Sequence, residues 1–340
     1  MAEQAGVTAI TVSRYLREPA VVATATAQRI QAALSASGYV PNKQAGQLAS
    51  GRTQMVAAII PSIANSIFSE TVQGLSDRLQ ASGYELMLAS SGYSLDREEA
   101  QIRAVLAWSP SALVVTGRHH TTGALLLLKA AQCGGTPVVE IWDQPADNEL
   151  TNVDAICQVG FNHHAVGRAM AEHLLSLGHR HLAYVDSAVE EDFRAHERGA
   201  GFSAAVRHFS RANPRDRATA QLIKPPAGDA FDCGRAALAQ LLSSRGQAIT
   251  AAAFANDHLA CGALLEAQQR GIQVPTQLAL MGFGDFPISR QLQPPLSTVS
   301  PPRNEIGVQA AEVLLAALQS GVAPAHRALG WEMRVRGSTG

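Results

Sequence analysis

The sequence lacks the segments that membrane-inserted and exported proteins need. Its richest apolar runs, residues 55–60 and 123–128, are far shorter than the roughly 18 to 20 residues of a membrane-spanning helix. The N-terminus has no basic start followed by an apolar stretch, as a secretory signal peptide would. We therefore expect a cytoplasmic protein that makes no membrane contact.

Cysteine is scarce as well. The 4 cysteines among 340 residues lie far apart without CxxC or Cys/His spacing, which argues against a disulfide framework and a zinc site. The adjacent pairs His119/His120 and His163/His164 have diverging side chains, and no HExxH motif is present. We predict no metal site, no cofactor, and cysteines that act as small buried hydrophobic residues.

Motifs of common enzyme classes are also missing. The sequence contains no GxGxxG after a strand pattern, no GxxxxGK[ST] phosphate loop and no GxSxG nucleophile elbow. Because doubly wound folds carry many enzymes, this observation favours a binding protein without excluding catalysis.

The charge is small but unevenly distributed. The whole chain has a formal net charge of −1, whereas the first 54 residues have an excess of basic residues. The charged residues of that segment are Arg14, Arg17, Arg29, Lys43 and Arg52 against Glu3 and Glu18. A small basic module on a mildly acidic remainder suits a protein that binds nucleic acid.

The basic segment has the layout of a helix-turn-helix. Residues 2–16 predict a short helix, a turn at Gly6 and a second helix capped by Thr8, and residues 24–37 predict a third helix. The start of the second helix of this motif reads base edges in the major groove, while hydroxyl side chains hold phosphates. The predicted base-reading residues are Ala9, Ile10 and Arg14. The predicted positioning residues are Thr8, Thr11 and Ser13.

From residue 54 onward, short apolar strands alternate with helices that end in glycine. The predicted strands are MVAAIIP, YELMLAS, ALVVTG, TPVVEIW, LAYVD, AAAFAN and LALMGF. They are apolar on both faces, which is typical of parallel strands between two helix layers. The pattern predicts a doubly wound α/β fold, either as two sheets facing a ligand cleft or as one continuous sheet.

One stretch identifies a family. GYVPNKQAGQLASGR, residues 38–52, together with GVTAITVSR, residues 6–14, resembles the lac repressor family of transcriptional regulators. In that family YxPN leads into a hinge helix whose leucine enters the minor groove between base pairs. The resemblance places Leu48 in this role, with Asn42 and Ala45 beside it.

The resemblance extends over essentially the whole chain and implies an all-α headpiece followed by a periplasmic-binding-protein-like body of two parallel-sheet lobes. The headpiece covers residues 1–41, and its first helix is expected to be shortened because the family's DVA motif is missing before AGV. The expected later boundaries are a hinge at 42–53, an N-terminal lobe at 54–155 plus about 290–320, and a C-terminal lobe at 156–289 plus about 325–337.

Within the family the chain is similar to the gluconate-utilisation repressors, through segments such as GYELMLASSGYS, TGRHHT and VGFNHHAVGRAM. The resemblance implies a homodimeric repressor of operator DNA whose affinity is controlled by a small sugar acid. A periplasmic-type sugar-binding protein and an inactive regulator with a truncated headpiece are the alternatives.

A sugar acid needs a cation for its carboxylate and oxygens or amides for its hydroxyls. The predicted cations are Arg118, Arg194 and Arg198. The predicted polar contacts are Asp143, Asn256 and Asp285, with Asp257 capping the following helix. The predicted apolar contacts are Ile67 and Phe68, in the helix after the first strand. Two positions depart from the family pattern, since Trp142 and Gly284 stand where acidic residues are usual.

Overall fold

The computed structural model describes residues 1–38, 53–64, 66–144, 156–243 and 248–340. The chain forms two compact units, Met1–Thr53 and Gln54–Gly340.

The first unit contains two α-helices, α1 (Ala9–Arg17) and α2 (Thr24–Ser37), with a 3-10 turn at Pro19–Val21 between them. Thr8 caps α1 as predicted, because its Oγ1 accepts a hydrogen bond from the amide of Thr11 at 3.2 Å. Residues 2–6 form turns rather than a helix. Ala5, Val12, Ile30 and Ala33 form the small buried core of this unit.

The second unit contains two six-stranded sheets. The strands of the first sheet are β1 (Met55–Ile60), β2 (Glu85–Ser90), β3 (Ala112–Thr116), β4 (Val138–Ile141), β5 (Cys157–Gly160) and β11 (Arg327–Ala328). Their order is β11-β5-β4-β3-β1-β2, and all the pairs are parallel.

The strands of the second sheet are β6 (His181–Val185), β7 (Thr219–Ile223), β8 (Ala251–Phe254), β9 (Ala279–Phe283), β10 (Ser297–Ser300) and β12 (Glu332–Arg334). Their order is β12-β10-β9-β8-β6-β7, in which β12 pairs antiparallel to β10 and the other pairs are parallel. The doubly wound architecture is therefore present twice, as two lobes.

Helices cover the sheets. In the described ranges these are α3 (Ser69–Gln80), α4 (Leu95–Leu106), α5 (Thr122–Cys133), α6 (His163–Ser176), α7 (Phe193–Ala212), α8 (Ala230–Leu242), α9 (Asp257–Gln269) and α10 (Arg303–Ser320). Helix α10 packs against α3 of the first lobe, where a Cβ on Gly307 would collide with the backbone of Thr71. None of the helices in the described ranges is both long and apolar enough to cross a membrane.

The central strands are buried on both faces, as predicted, but β2 is not. All residues of β3, β4, β8 and β9 are buried, whereas β2 forms the edge of the first sheet and its residues are half-buried or exposed. The apolar sequence of β2 is typical of an inner strand, and only the strand order reveals its edge position.

Three segments lie in the other lobe from the one predicted. Strand β5 pairs with β4 in the first sheet, β10 pairs with β9 in the second, and β11 pairs with β5 in the first. The chain therefore crosses between the lobes after Gly160, after Ser300 and after Ala328, in each case later than the predicted boundaries at 155, about 290 and about 320–325. These strands are short and partly polar, so no apolar run indicated them.

The prediction for the cysteines needs one correction. Cys157, Cys233 and Cys261 are buried, whereas Cys133 at the end of α5 is exposed.

Candidate functional site

The cleft between the two lobes contains a small pocket of about 30 Å³. The carboxyl ends of β1, β2 and β3 meet here, as expected for ligand sites in parallel sheets. Hydroxyl groups of Ser91, Ser94 and Thr116 line it from the first lobe, while Glu191 and Arg194 line it from the second. The pocket therefore offers one cation and several hydrogen-bonding groups.

Arg194 lies in the first turn of α7 and is 8% exposed. Its guanidinium carbon lies 5.9 Å from the ring centre of Phe68, and no residue of the described ranges accepts a hydrogen bond from it. Burial acts to lower the pKa of Arg194, but the neighbouring carboxylate of Asp143 raises it, so the side chain stays charged. A buried guanidinium with unused donors is costly unless an anion binds to it.

Arg198 lies one turn further along α7 but has a different environment. Its Nη1 lies 2.9 Å from Nδ1 of His163, its Nη2 donates to the carbonyl of Ala255 at 2.8 Å, and its guanidinium stacks 4.0 Å from the ring centre of Phe283. Protein groups thus hold Arg198, although its Nε is buried without a hydrogen-bond partner among the described residues. Of the two, Arg194 is the arginine that lines the pocket.

Arg118 follows β3 and connects the lobes. Its backbone amide donates to Asp143 at 3.0 Å, and its Nη2 forms an ion pair with Glu197 of α7 at 2.7 Å. Next to it, His119 lies 3.3 Å from the same Glu197 carboxylate and stacks on Phe193, with ring centres 4.5 Å apart. These contacts close one side of the cleft.

Asp143 is almost completely buried behind Arg194. Burial raises the pKa of its carboxyl to about 6, although Arg194 opposes the shift. Gly117 makes this arrangement possible, because a Cβ there would lie 2.7 Å from Nη1 of Arg194 and 3.2 Å from Oδ2 of Asp143. Its φ of +92° also favours glycine. No sequence motif indicated a role for Gly117.

Aromatic rings form the floor beneath Arg194. Phe68 contacts Tyr93 and Trp142, with ring centres 6.5 and 5.5 Å apart. Trp142 adopts a φ of +73°, which is unusual for a bulky residue, and donates from Nε1 to Thr71 at 3.2 Å. Trp142 is thus part of the floor and cannot serve as the acidic contact that is usual at its position.

Ile67 and Phe68 are both buried, but they lie in a 3-10 helix, Ser66–Phe68, that precedes α3. The prediction placed them in the helix itself. Phe68 is the one of the two that contacts the site, through its position below Arg194.

A second group that the sequence did not indicate lies behind the pocket. The side chain of His120 is 2% exposed and is 2.8 Å from Glu98 and 3.2 Å from Glu140. Burial opposes protonation, but hydrogen bonds to both carboxylates raise the pKa of His120 to about 9. Since Glu98 also lines the pocket, this protonated histidine fixes one wall of the site.

The capping role predicted for Asp257 belongs to Asn256, whose predicted contact with the effector stays a prediction. Asn256 caps α9, because its Oδ1 accepts from the amide of Leu259 at 3.0 Å. Asp257 is fully buried and accepts hydrogen bonds from Ser289 and Thr298 instead. The Asn-Asp sequence alone did not reveal which of the two side chains turns back to the helix.

Asp285 is not part of the cluster around Arg194. Its carboxylate forms ion pairs with Arg290 and Arg336. Hydrogen bonds to both arginines lower its pKa although burial acts in the opposite direction. These contacts hold the start of the Pro287–Arg290 turn against the C-terminal segment, so the structure gives Asp285 a structural role.

The predicted DNA-reading face lies on the first unit. Thr8, Ala9, Ser13 and Arg14 are exposed, Thr11 is half-buried, and Ile10 is 74% exposed. Asn42, Ala45 and Leu48 lie outside the described residues and stay predictions. No group of three His, Cys, Asp or Glu side chains within the described part of the chain is arranged to hold a metal ion.

Comparison with known proteins identifies the family. Residues 1–42 match the lacI family of bacterial regulatory proteins, and residues 171–339 match the periplasmic binding protein-like domain. The chain is 38% identical to the HTH-type transcriptional regulator GntR of Pseudomonas aeruginosa, over 100% of this chain and 94% of that protein. The chain belongs to the lacI family of bacterial regulatory proteins.

Two further relatives support the assignment of the chain to the lacI family. The HTH-type transcriptional regulator GntR of Escherichia coli is 30% identical, over 99% of this chain and 97% of that protein. The crystal structure of a lacI-family transcriptional regulator from Silicibacter pomeroyi has a TM-score of 0.86 and 31% identity, covering 99% of this chain and 97% of that one. The predicted family and fold class are confirmed, and the chain is a DNA-binding transcriptional regulator rather than an enzyme.

Proposed function

We propose that this regulator is a cytoplasmic repressor whose affinity for operator DNA is controlled by a sugar acid, gluconate or a derivative, bound in the interlobe cleft. The observation that carries the proposal is the buried, charged guanidinium of Arg194, which has no hydrogen-bond partner among the described residues and faces a hydroxyl-lined pocket. The names of two relatives, both GntR regulators, support gluconate as the effector.

The carboxylate of the effector would bind Arg194. A guanidinium presents two parallel N–H groups that match the two oxygens of a carboxylate, and such charge-assisted bonds are stronger than neutral ones. Arg118 and Arg198 already have protein partners, so they act as secondary groups that orient the cleft.

The remaining lining suits a polyol chain. Ser91, Ser94 and Thr116 provide hydroxyl groups that donate and accept, while Glu98 and Glu191 provide carboxylate acceptors. A polyhydroxy acid can satisfy these groups together, whereas an apolar ligand would leave them unpaired. Asp143, whose carboxylate accepts a hydrogen bond from the backbone amide of Arg118, remains a proposed contact, and so does Asn256.

Operator recognition would use the exposed face of α1. In a homodimer, two such helices would enter successive major grooves of a pseudo-palindromic operator. Effector binding that closes the lobes would change how the headpieces are held and so weaken operator binding. By thermodynamic linkage, operator and effector must weaken one another by the same factor.

A calorimetric titration with gluconate and with glucose tests the carboxylate site. The wild-type protein should prefer gluconate, and Arg194→Ala should bind it about 10- to 100-fold more weakly because two charge-assisted hydrogen bonds are lost. Arg168→Ala, which removes an exposed arginine of α6, is the matched control and should bind as the wild type does. Unchanged gluconate affinity in Arg194→Ala would show that the carboxylate binds elsewhere.

Operator binding needs its own measurement. A gel-shift titration of the full chain should show operator binding that gluconate weakens. A chain that binds gluconate but not DNA would support the inactive-headpiece alternative, and a chain that binds neither would refute the proposed function.

A further inference from the structure

Helices α6 and α7 of the second lobe approach each other so closely that glycine is required at their contact. A Cβ on Gly201 would collide with the backbone of His164. The surface groove between the two helices, the α6–α7 groove, therefore has small residues at its base, Gly201, Ala204 and Ala205, and a volume of about 460 Å³. A ligand in it can approach the backbone closely.

Basic side chains surround these small residues. The basic residues that line the groove, all of them exposed, are Arg168, Arg207, Arg211, His164 and His208. Glu172 is the acidic residue of the lining, and it lies 3.7 Å from Arg168 with both side chains more than half exposed. One carboxylate against three guanidinium groups leaves the groove with a net positive charge. Arg207 and Arg211 have no hydrogen-bond or ion-pair partner among the described residues.

The positive charge of the groove is unusual for this part of the molecule. The chain as a whole has a net charge of −1 and its N-terminal segment is basic, so the remainder is acidic overall. Three guanidinium groups on an acidic body form a local positive potential that attracts anions.

We propose that the α6–α7 groove binds a phosphorylated small molecule, as a second ligand besides the cleft effector. Guanidinium forks bind phosphate oxygens through paired, charge-assisted hydrogen bonds. The groove has the size of small-molecule sites, which enclose about 300 to 1,000 Å³. Glu172 in its lining disfavours a long acidic protein segment, which would meet a like charge, and so favours a compact anion.

Calorimetric titration of the full-length protein with glucose 6-phosphate, in chloride buffer free of phosphate and sulfate, tests the proposal. Glucose serves as the probe without a phosphate. The wild type should bind glucose 6-phosphate through its phosphate, and the double variant Arg207→Gln/Arg211→Gln should bind it about tenfold or more weakly. Arg215→Gln/Arg217→Gln, which removes two exposed arginines outside the groove, is the charge-matched control and should bind as the wild type does.

Three outcomes would overturn the proposal. One is equal affinity of the wild type and the groove variant, and another is an equal loss in both double variants, which would indicate unspecific attraction. The third is binding that Arg194→Ala abolishes and the groove variant retains, because the phosphate would then occupy the cleft. If the groove variant instead loses operator affinity without any phosphate present, the groove contacts DNA and the small-molecule assignment is wrong. None of these results depends on whether gluconate is the cleft effector.

Discussion

Arg198 and His163 share a hydrogen bond of 2.9 Å between Nη1 and Nδ1, and this bond defines the state of the histidine. Burial and the nearby arginine keep the pKa of His163 well below its usual value, so the ring is neutral and accepts at Nδ1. Its Nε2 then donates to the carbonyl of Trp142 at 2.8 Å. Since Arg198 also binds the carbonyl of Ala255, a chain of hydrogen bonds runs from the end of β8 in one lobe to the end of β4 in the other.

We predict that Arg198→Ala and Arg194→Ala have different consequences. Arg198→Ala leaves Nδ1 of His163 and the carbonyl of Ala255 without donors in a buried site, and the free energy of unfolding should fall by roughly 2 to 4 kcal/mol. Arg194→Ala removes no hydrogen bond to a described residue, so it should cost less stability. Urea unfolding monitored by tryptophan fluorescence measures both.

The two variants should also differ in gluconate affinity. Arg194→Ala should lose most of its affinity while staying folded, whereas Arg198→Ala should lose stability first. If Arg194→Ala were the less stable of the two, our division of roles between the two arginines would be wrong.

Glu197→Gln should loosen the closed arrangement of the lobes. The Arg118–Glu197 ion pair is partly exposed, so its removal should cost at most about 1 kcal/mol. Under the proposed function the effector binds between closed lobes, so gluconate affinity should fall by no more than about fivefold. Small-angle scattering should show a larger radius of gyration for the unliganded variant. Glu172→Gln, on an exposed part of α6, is the control and should behave as the wild type does. A higher gluconate affinity of Glu197→Gln would contradict the prediction, because it would mean that Glu197 competes with the effector for Arg118.

His120 should make stability depend on pH in the alkaline range. The folded protein retains the His120 proton up to about pH 9, because hydrogen bonds to Glu98 and Glu140 outweigh the effect of burial on its pKa, whereas an unfolded chain releases it near 6.5. The stabilisation is therefore fully present below pH 6.5 and is lost as the pH rises through 9. Compared with His120→Gln, the wild type should lose up to about 3 kcal/mol over this range.

A second histidine titrates in the same range and must be separated from His120. The hydrogen bond to Asp186 raises the pKa of His196 to about 8 although burial opposes it. His196 contributes equally to the wild type and to His120→Gln, so the difference between their unfolding curves isolates His120. His208→Gln, an exposed change on α7, should follow the wild type. Parallel curves for the wild type and His120→Gln would contradict the prediction.

Ile10 should read a thymine methyl group. It is a large apolar side chain, 74% exposed in the first turn of the predicted recognition helix, and the 5-methyl group of thymine is the apolar feature of the major groove. Replacing the contacted thymine by deoxyuridine removes one methyl group and should weaken operator binding of the wild type by about 0.8 kcal/mol, or roughly fourfold.

A double-mutant cycle that combines Ile10→Ala with the deoxyuridine operator tests whether this contact is direct. Ile10→Ala should bind the thymine and deoxyuridine operators equally, because the methyl group then has no partner. Val21→Ala, which truncates another exposed apolar residue of the same unit, should still distinguish the two operators. If every deoxyuridine position affects the wild type and Ile10→Ala alike, Ile10 does not contact thymine.

Local patterns in the sequence predicted much of the fold. Thr8 before an apolar helix, and the apolar spacing of residues 24–37, gave the bounds of the headpiece helices because capping and helix periodicity act over a few residues. The inner strands were equally clear, since strands buried on both faces must be apolar throughout. The sequence pattern did not predict the short strands β5, β10 and β11, and it therefore misplaced the crossings between the lobes. A strand of two to four partly polar residues is defined by its partner strand.

The sequence by itself also determined the family and the set of candidate arginines, because those motifs are short and ordered along the chain. Only the tertiary structure decided which arginine serves the cleft. Arg194 and Arg198 are one helical turn apart and chemically identical, but residues distant in sequence distinguish them. His163 and Ala255 satisfy Arg198, while Gly117 leaves space for Arg194 beside Asp143. A guanidinium is available to a ligand only where the fold supplies no other partner, and that depends on contacts that no local pattern records.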